Sequence, residues 1–220
     1  MSGISWDWHY TGQFIPDLII ALFQYTILVT ILSFVLALVL GLVWVLLLRA
    51  PNVVVRQALR WVLEFIRSTP PLVQLFFVYY VFPQLGLTLS AVVAGVLTLG
   101  IHYSTYTAEV YRAGIEDVPR GQWEACTALN LSTRRTWAGV ILPQAIPKVI
   151  PAQGNNLISL LKDVPILVSI TVPGMLFQAF SAGNHTLSYL EPITIAGVFF
   201  LAVSIPASYL VRRLERRYGH

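Results

Sequence analysis

The chain has 220 residues, of which 56% are hydrophobic and only 11% charged, with a net charge of +4 and a mean hydropathy of +0.71. A water-soluble domain carries roughly 25% charged residues, so composition excludes that class, and several apolar runs reach the roughly 20 residues needed to cross about 30 Å of hydrocarbon as a helix. The ~10-residue alternating segments of a membrane β-barrel are absent, and the expectation is an all-α polytopic membrane protein.

Five spans are predicted in chain order, from about Asp17 to Leu48, Trp61 to Val81, Ser90 to Tyr111, Gln144 to Phe180 and Pro192 to Val211. The opening MSGISWDWHYTGQFIP lacks the basic flank of a removable signal peptide, so none is expected. Arg49, Arg56, Arg60 and Arg67 follow the first span; Arg112, Arg120, Arg134 and Arg135 follow the third; Arg212, Arg213, Arg216 and Arg217 follow the fifth. Basic residues stay cytoplasmic, so the N-terminus is expected outside and the C-terminus inside. The pI near 9.4 is then a topology signal rather than a sign of nucleic-acid binding. The single cysteine, Cys126, excludes an internal disulfide and reads as a small packing residue.

The external loops FPQLGLTLS and SAGNHTLSYLE are too short to form a domain, so the chain reads as one transmembrane unit over residues 1–220. The largest soluble piece is cytoplasmic, about residues 112–143. Within it PRGQWEACTALNLSTRRTWAGVILP reads as two short helices at an angle. Pro119 suits a first helical turn, and Asn130 tolerates the left-handed conformation where the first helix must stop. Ser132 is a plausible N-cap for a second helix through Arg134, Arg135 and Trp137. Pro143 is expected to mark the turn back into the bilayer.

This loop resembles the cytoplasmic motif of ABC importer permeases: EAA, three residues, G, nine residues, then I-x-L-P. Glu124, Ala125 and Cys126 stand for EAA, with Gly121 just ahead; Asn130 stands for the glycine, Val140 for the isoleucine, and Leu142–Pro143 close it. The departures are Cys for Ala, Asn for Gly and Val for Ile. The segments FIRSTPPLVQLFFVYYVFP, YTAEVYRAGIEDVPRGQ and LPQAIPKVIPAQGNNLISLLKD resemble permeases for polar amino acids over essentially the whole chain. PRGQWEACTALNL and the WDW near the start are similar to permeases of ectoine and hydroxyectoine importers. The resemblance implies a type I importer fold in a bacterial inner membrane. It also implies that these eight loop residues dock an ATPase subunit, which uses ATP-Mg while the permease itself binds no cofactor. A second permease, identical or paralogous, and an external substrate-binding protein complete the implied assembly.

Ionisable groups at membrane depth are costly and mark candidate sites. Asn156, Ser159 and Asp163 lie at i, i+3 and i+7, one polar helical face, while Asn155, Ser159 and Lys162 form a neighbouring stripe. Pro151, Pro165 and Pro173 suggest a broken helix of the kind that exposes substrate sites in transporters. Asp163 reads as the substrate carboxylate and Lys162 as a structural cation. In related permeases for basic amino acids a Glu stands where this chain has Asn156, so the resemblance implies a zwitterionic or neutral polar solute. Span three offers a second stripe of His102, Tyr106 and Glu109, of which Tyr106 and Glu109 are further candidates for lining the pathway. His102 has no second His or Cys at ligand spacing, and Glu64 with Arg67 reads as an ion pair at the cytoplasmic side.

Two rival functions remain to be weighed. A secondary transporter or a channel subunit not driven by ATP needs enough helices in one chain to enclose a path, and five are few. An intramembrane enzyme needs a nucleophile elbow or a metal-ligand cluster, and neither is present. No P-loop occurs, so energy must come from another subunit.

Overall fold

The computed structural model describes residues 6–218, which are helical with no strand among them. The helices, in order, are α1 (Trp8–Leu47), α2 (Val53–Ser68), α3 (Pro71–Leu85), α4 (Ala91–Glu116), α5 (Arg120–Ala128), α6 (Thr133–Ile170), α7 (Met175–Thr186) and α8 (Leu190–Tyr218). Polar caps set several starts: Asp7 accepts from the Tyr10 amide at 3.0 Å, Asn52 from Val54 at 2.8 Å, and Ser90 from Val93 at 3.4 Å.

Small residues let α1 and α4 form the central pairing of the bundle. Ser33, Ala37 and Gly41 recur every four residues on one face of α1 and are buried. A Cβ on Gly41 would lie 2.8 Å from Thr107 Cβ and 3.2 Å from the Ala108 amide nitrogen. From the other side, Gly100 of α4 admits Leu36, and the Trp44 indole donates to Ser104 Oγ at 2.9 Å. Close backbone approach with polar cross-links is how helices associate in lipid, where the hydrophobic effect between helices vanishes.

Among the described residues two helices, α1 and α8, are long and apolar enough to cross a membrane, and α6 with α7 adds a third if the bent pair is one span. The stretch expected as the second span, Trp61–Val81, is divided. Pro70 and Pro71 end α2 at Ser68. The helix before the break is amphipathic and exposes Val54, Trp61 and Phe65, while the apolar helix after it, Pro71–Leu85, is short.

The fourth segment also differs from its expectation. Pro143 makes no turn, and Pro147 and Pro151 lie inside a continuous α6. A π-helical stretch at Thr136–Ile141 immediately precedes Pro143, and such widened turns accommodate a missing backbone donor. The three prolines are four residues apart, so their missing hydrogen bonds fall on one side of the helix. The real break comes after Ile170, where Thr171 takes a left-handed φ of 61° and α7 departs at 47°. It is seated on the π-helical stretch Leu22–Ile27 of α1, whose Thr26 hydroxyl accepts from the Met175 amide at 3.1 Å.

Candidate functional site

A cavity of about 490 Å³ opens between α2, α4 and α6. Asn156, Ser159 and Asp163 line it from α6, His102, Tyr103 and Tyr106 from α4, and Arg67 through Pro71 from the α2–α3 break. The i, i+3, i+7 spacing puts the α6 trio on one face, and the structure turns that face to the cavity, with Ser159 exposed and Asn156 and Asp163 half-buried. Asp163 is fixed by the Tyr103 hydroxyl, which donates to Oδ2 at 2.7 Å. The Asn156 amide donates to Gln153 Oε1 at 3.3 Å, and buried Gln153 in turn accepts from the Thr107 hydroxyl.

The α2–α3 break is held to this wall by one side chain. Gln74 Nε2 donates to the carbonyls of Ile66 and Thr69 at 2.6 and 3.0 Å and meets His102 Nδ1 at 3.1 Å. Two carbonyl partners require that atom to be the amide nitrogen. His102 Nδ1 thus faces an amide whose two N–H bonds are already committed to those carbonyls.

The sequence reading did not place Tyr103, Arg67 or the Ser68–Pro71 segment in the site. The Pro70–Pro71 pair, a mandatory interruption of helix, was the available signal. Glu109, expected beside Tyr106, stands outside the cavity. It accepts from Arg112 at 2.6 Å and lies 3.6 Å from Arg67 across the α2–α4 gap. Arg112 also holds Glu116 at 2.6 Å, and Arg67 pairs with Glu64. These charges, with Arg49 and Arg60, line an adjoining cavity of about 480 Å³. Lys162 points away from Asp163, into a groove against α8 lined also by Ser204, Ser208 and Arg212, and makes no ion pair among the described residues. Asn155 is drawn off its expected stripe by Glu215 of α8, to which it donates at 2.8 Å. No group of three metal-ligating side chains occurs among the described residues.

The loop between α4 and α6 is built as a supported, outward-facing helix. Pro119 precedes α5 and Asn130, at φ 49°, ends it. The Asn130 and Leu131 amides return to the Thr127 and Cys126 carbonyls, both at 3.0 Å, the paired bonds of a Schellman ending. Ser132 caps the next turn by accepting from the Arg135 amide. Beneath α5, the Trp123 and Trp137 rings meet edge-on at 5.3 Å and Arg49 covers Trp137 at 4.5 Å. Val118, Ile141 and Ala145 complete that small core, and Cys126 is buried. Gly121, Glu124, Ala125, Leu129 and Asn130 are left exposed, Val140 is half-buried, and Leu142 and Pro143 are exposed at the start of the straight part of α6.

A helical membrane chain with a polar cavity between its helices and a braced, exposed helix on one side is the membrane component of a transport system. Residues 33–220 match the family described as binding-protein-dependent transport system inner membrane component, and the chain belongs to that family. It is 43% identical to a probable amino-acid ABC transporter permease protein, y4tG, of Sinorhizobium fredii, covering 97% of this chain and 94% of that one. It is 34% identical to the L-cystine transport system permease protein TcyB of Bacillus subtilis, again over 97% and 94%. Among solved structures it superposes on the crystal structure of an amino acid ABC transporter with histidines, with a TM-score of 0.91, 32% identity, and coverage of 97% of this chain and 100% of that one. The family places the chain in the inner membrane as a transport component rather than an enzyme.

Proposed function

We propose that this chain is the permease of an ATP-driven importer for a polar amino acid or an amino-acid-like zwitterion, ectoine and hydroxyectoine being candidates. The cavity carries the reading, because it collects Asp163, Asn156, Ser159 and Tyr106 around one space. Relatives named for amino acids, L-cystine and arginine support the substrate class. A carboxylate at membrane depth favours an ammonium group as partner. The neutral Asn156 beside it leaves one negative charge where a strongly cationic substrate calls for more. The chain crosses the membrane five times, N-terminus outside. Its α5 helix, with Gly121, Glu124, Ala125, Cys126 and Asn130, and with Val140, Leu142 and Pro143 at its base, docks an ATPase subunit that burns ATP-Mg. A second permease subunit and an external binding protein complete the importer.

The test is uptake in proteoliposomes holding the permease with its ATPase and binding protein. Asp163→Asn keeps the side-chain shape and removes the charge. One charged hydrogen bond is worth about 1.5–3 kcal/mol, so uptake efficiency is expected to fall roughly 10- to 100-fold. Normal uptake by the assembled variant removes Asp163 from the pathway.

A further inference from the structure

Among the described residues, Arg67 is the one arginine or lysine lining the cavity that holds Asp163. Most of its guanidinium is unused. Arginine carries five N–H donors in a rigid fork, yet among the described residues Arg67 makes a single hydrogen bond, from Nη2 to Glu64. Its Nη1 stands 3.6 Å from Glu109, too far for a hydrogen bond. The lining thus presents one carboxylate and one under-bonded guanidinium.

We infer that Arg67 takes the carboxylate of the zwitterion whose ammonium group meets Asp163. The inference rests on the cavity being the transport site, and it adds a residue that sets which end of the substrate lies toward the cytoplasmic charges. The incoming carboxylate exchanges with Glu109 on the free edge of the fork, where a paired geometry is stronger than the present loose contact. Glu109 loses little in the exchange, since Arg112 already bonds it at 2.6 Å. Arg67 also lines the adjoining charged cavity, so the exchange loosens the only ion pair between α2 and α4 among the described residues.

Binding is measured on the permease–ATPase complex in lipid nanodiscs, with tritiated L-glutamine, L-arginine, L-cystine and ectoine as probes. For the probe that binds best, its carboxamide analogue is compared. Arg67→Gln is expected to weaken the acid about 10- to 100-fold and the amide hardly at all, with Arg67→Lys recovering part of the loss. Glu109→Gln is expected to tighten the acid, because it removes the competing carboxylate. A merely structural ion pair makes the opposite demand: Arg67→Gln and Glu109→Gln break the same contact and act alike. Equal losses for acid and amide, or weakening by Glu109→Gln, overturn the inference. Asp163→Asn separates the two readings. If it weakens binding while Arg67→Gln does not, only the role of Arg67 fails; if neither matters, or if no zwitterion binds the wild-type complex, the cavity itself is misassigned.

Discussion

Asn156 shows how one residue sets the charge of the cavity. Its amide nitrogen donates to Gln153 Oε1, and Gln153 is itself buried and committed to Thr107. A glutamate at this position is an acceptor facing an acceptor, so it must swing off Gln153 into the cavity beside Asp163. Two carboxylates on one helical face favour a dication or a side-chain cation. Asn156→Glu is therefore expected to shift competition in the uptake assay toward arginine over neutral zwitterions by about tenfold, one charged hydrogen bond's worth. An unchanged preference order would separate Asn156 from selectivity. At this scale much was legible beforehand: Asn156, Ser159 and Asp163 shared a face by spacing alone. Glu109 was not legible. Spacing put it on the Tyr106 face, but two arginines from different elements, Arg67 and Arg112, draw it away.

At the scale of elements, α5 is packed where it faces inward and exposed where it faces out. Trp123 and Cys126 anchor it, the Schellman ending at Asn130 stops it, and Glu124, Ala125 and Leu129 stand clear. Glu124 is exposed and makes no ion pair among the described residues, so Glu124→Arg is expected to leave expression and membrane insertion intact. It reverses charge on the proposed docking face and is expected to lower binding-protein-stimulated ATP hydrolysis at least tenfold in the reconstituted complex. Full stimulation would move the docking surface elsewhere. The elements that the sequence misplaced both turn on proline, in opposite directions. Pro143 was read as a turn and Pro151 as part of a break, yet with Pro147 they stack along one side of α6 behind a widened turn, and the chain continues through them. Pro70 and Pro71, adjacent and followed by a fresh helix start, do break the span that was expected to run through them.

For the whole molecule, the proposed orientation rests on where the arginines lie. No Lys or Arg occurs in the segments 82–90 and 181–191, which the positive-inside rule assigns to the outside. In a Cys126→Ser background, Asn184→Cys is expected to label in intact cells with a membrane-impermeant thiol reagent, whereas Leu129→Cys is expected to label only after permeabilisation. Leu129 serves better than native Cys126, because it is 72% exposed and Cys126 only 4%. Labelling of Leu129→Cys in sealed cells would overturn the five-span arrangement. What the sequence determined alone was what local spacing encodes: a helical membrane chain, the α5 turn chemistry around Asn130 and Ser132, and a polar face on α6. Only the tertiary structure decided which polar residues meet. Tyr103 on Asp163, Gln74 on His102 and Arg67 beside the cavity are contacts between separate helices, and the close approach of α1 and α4 through Gly41 and Gly100 sets where those helices stand. Helical periodicity fixes which way a side chain leaves its own helix, but the partner it finds depends on packing between helices far apart in the chain.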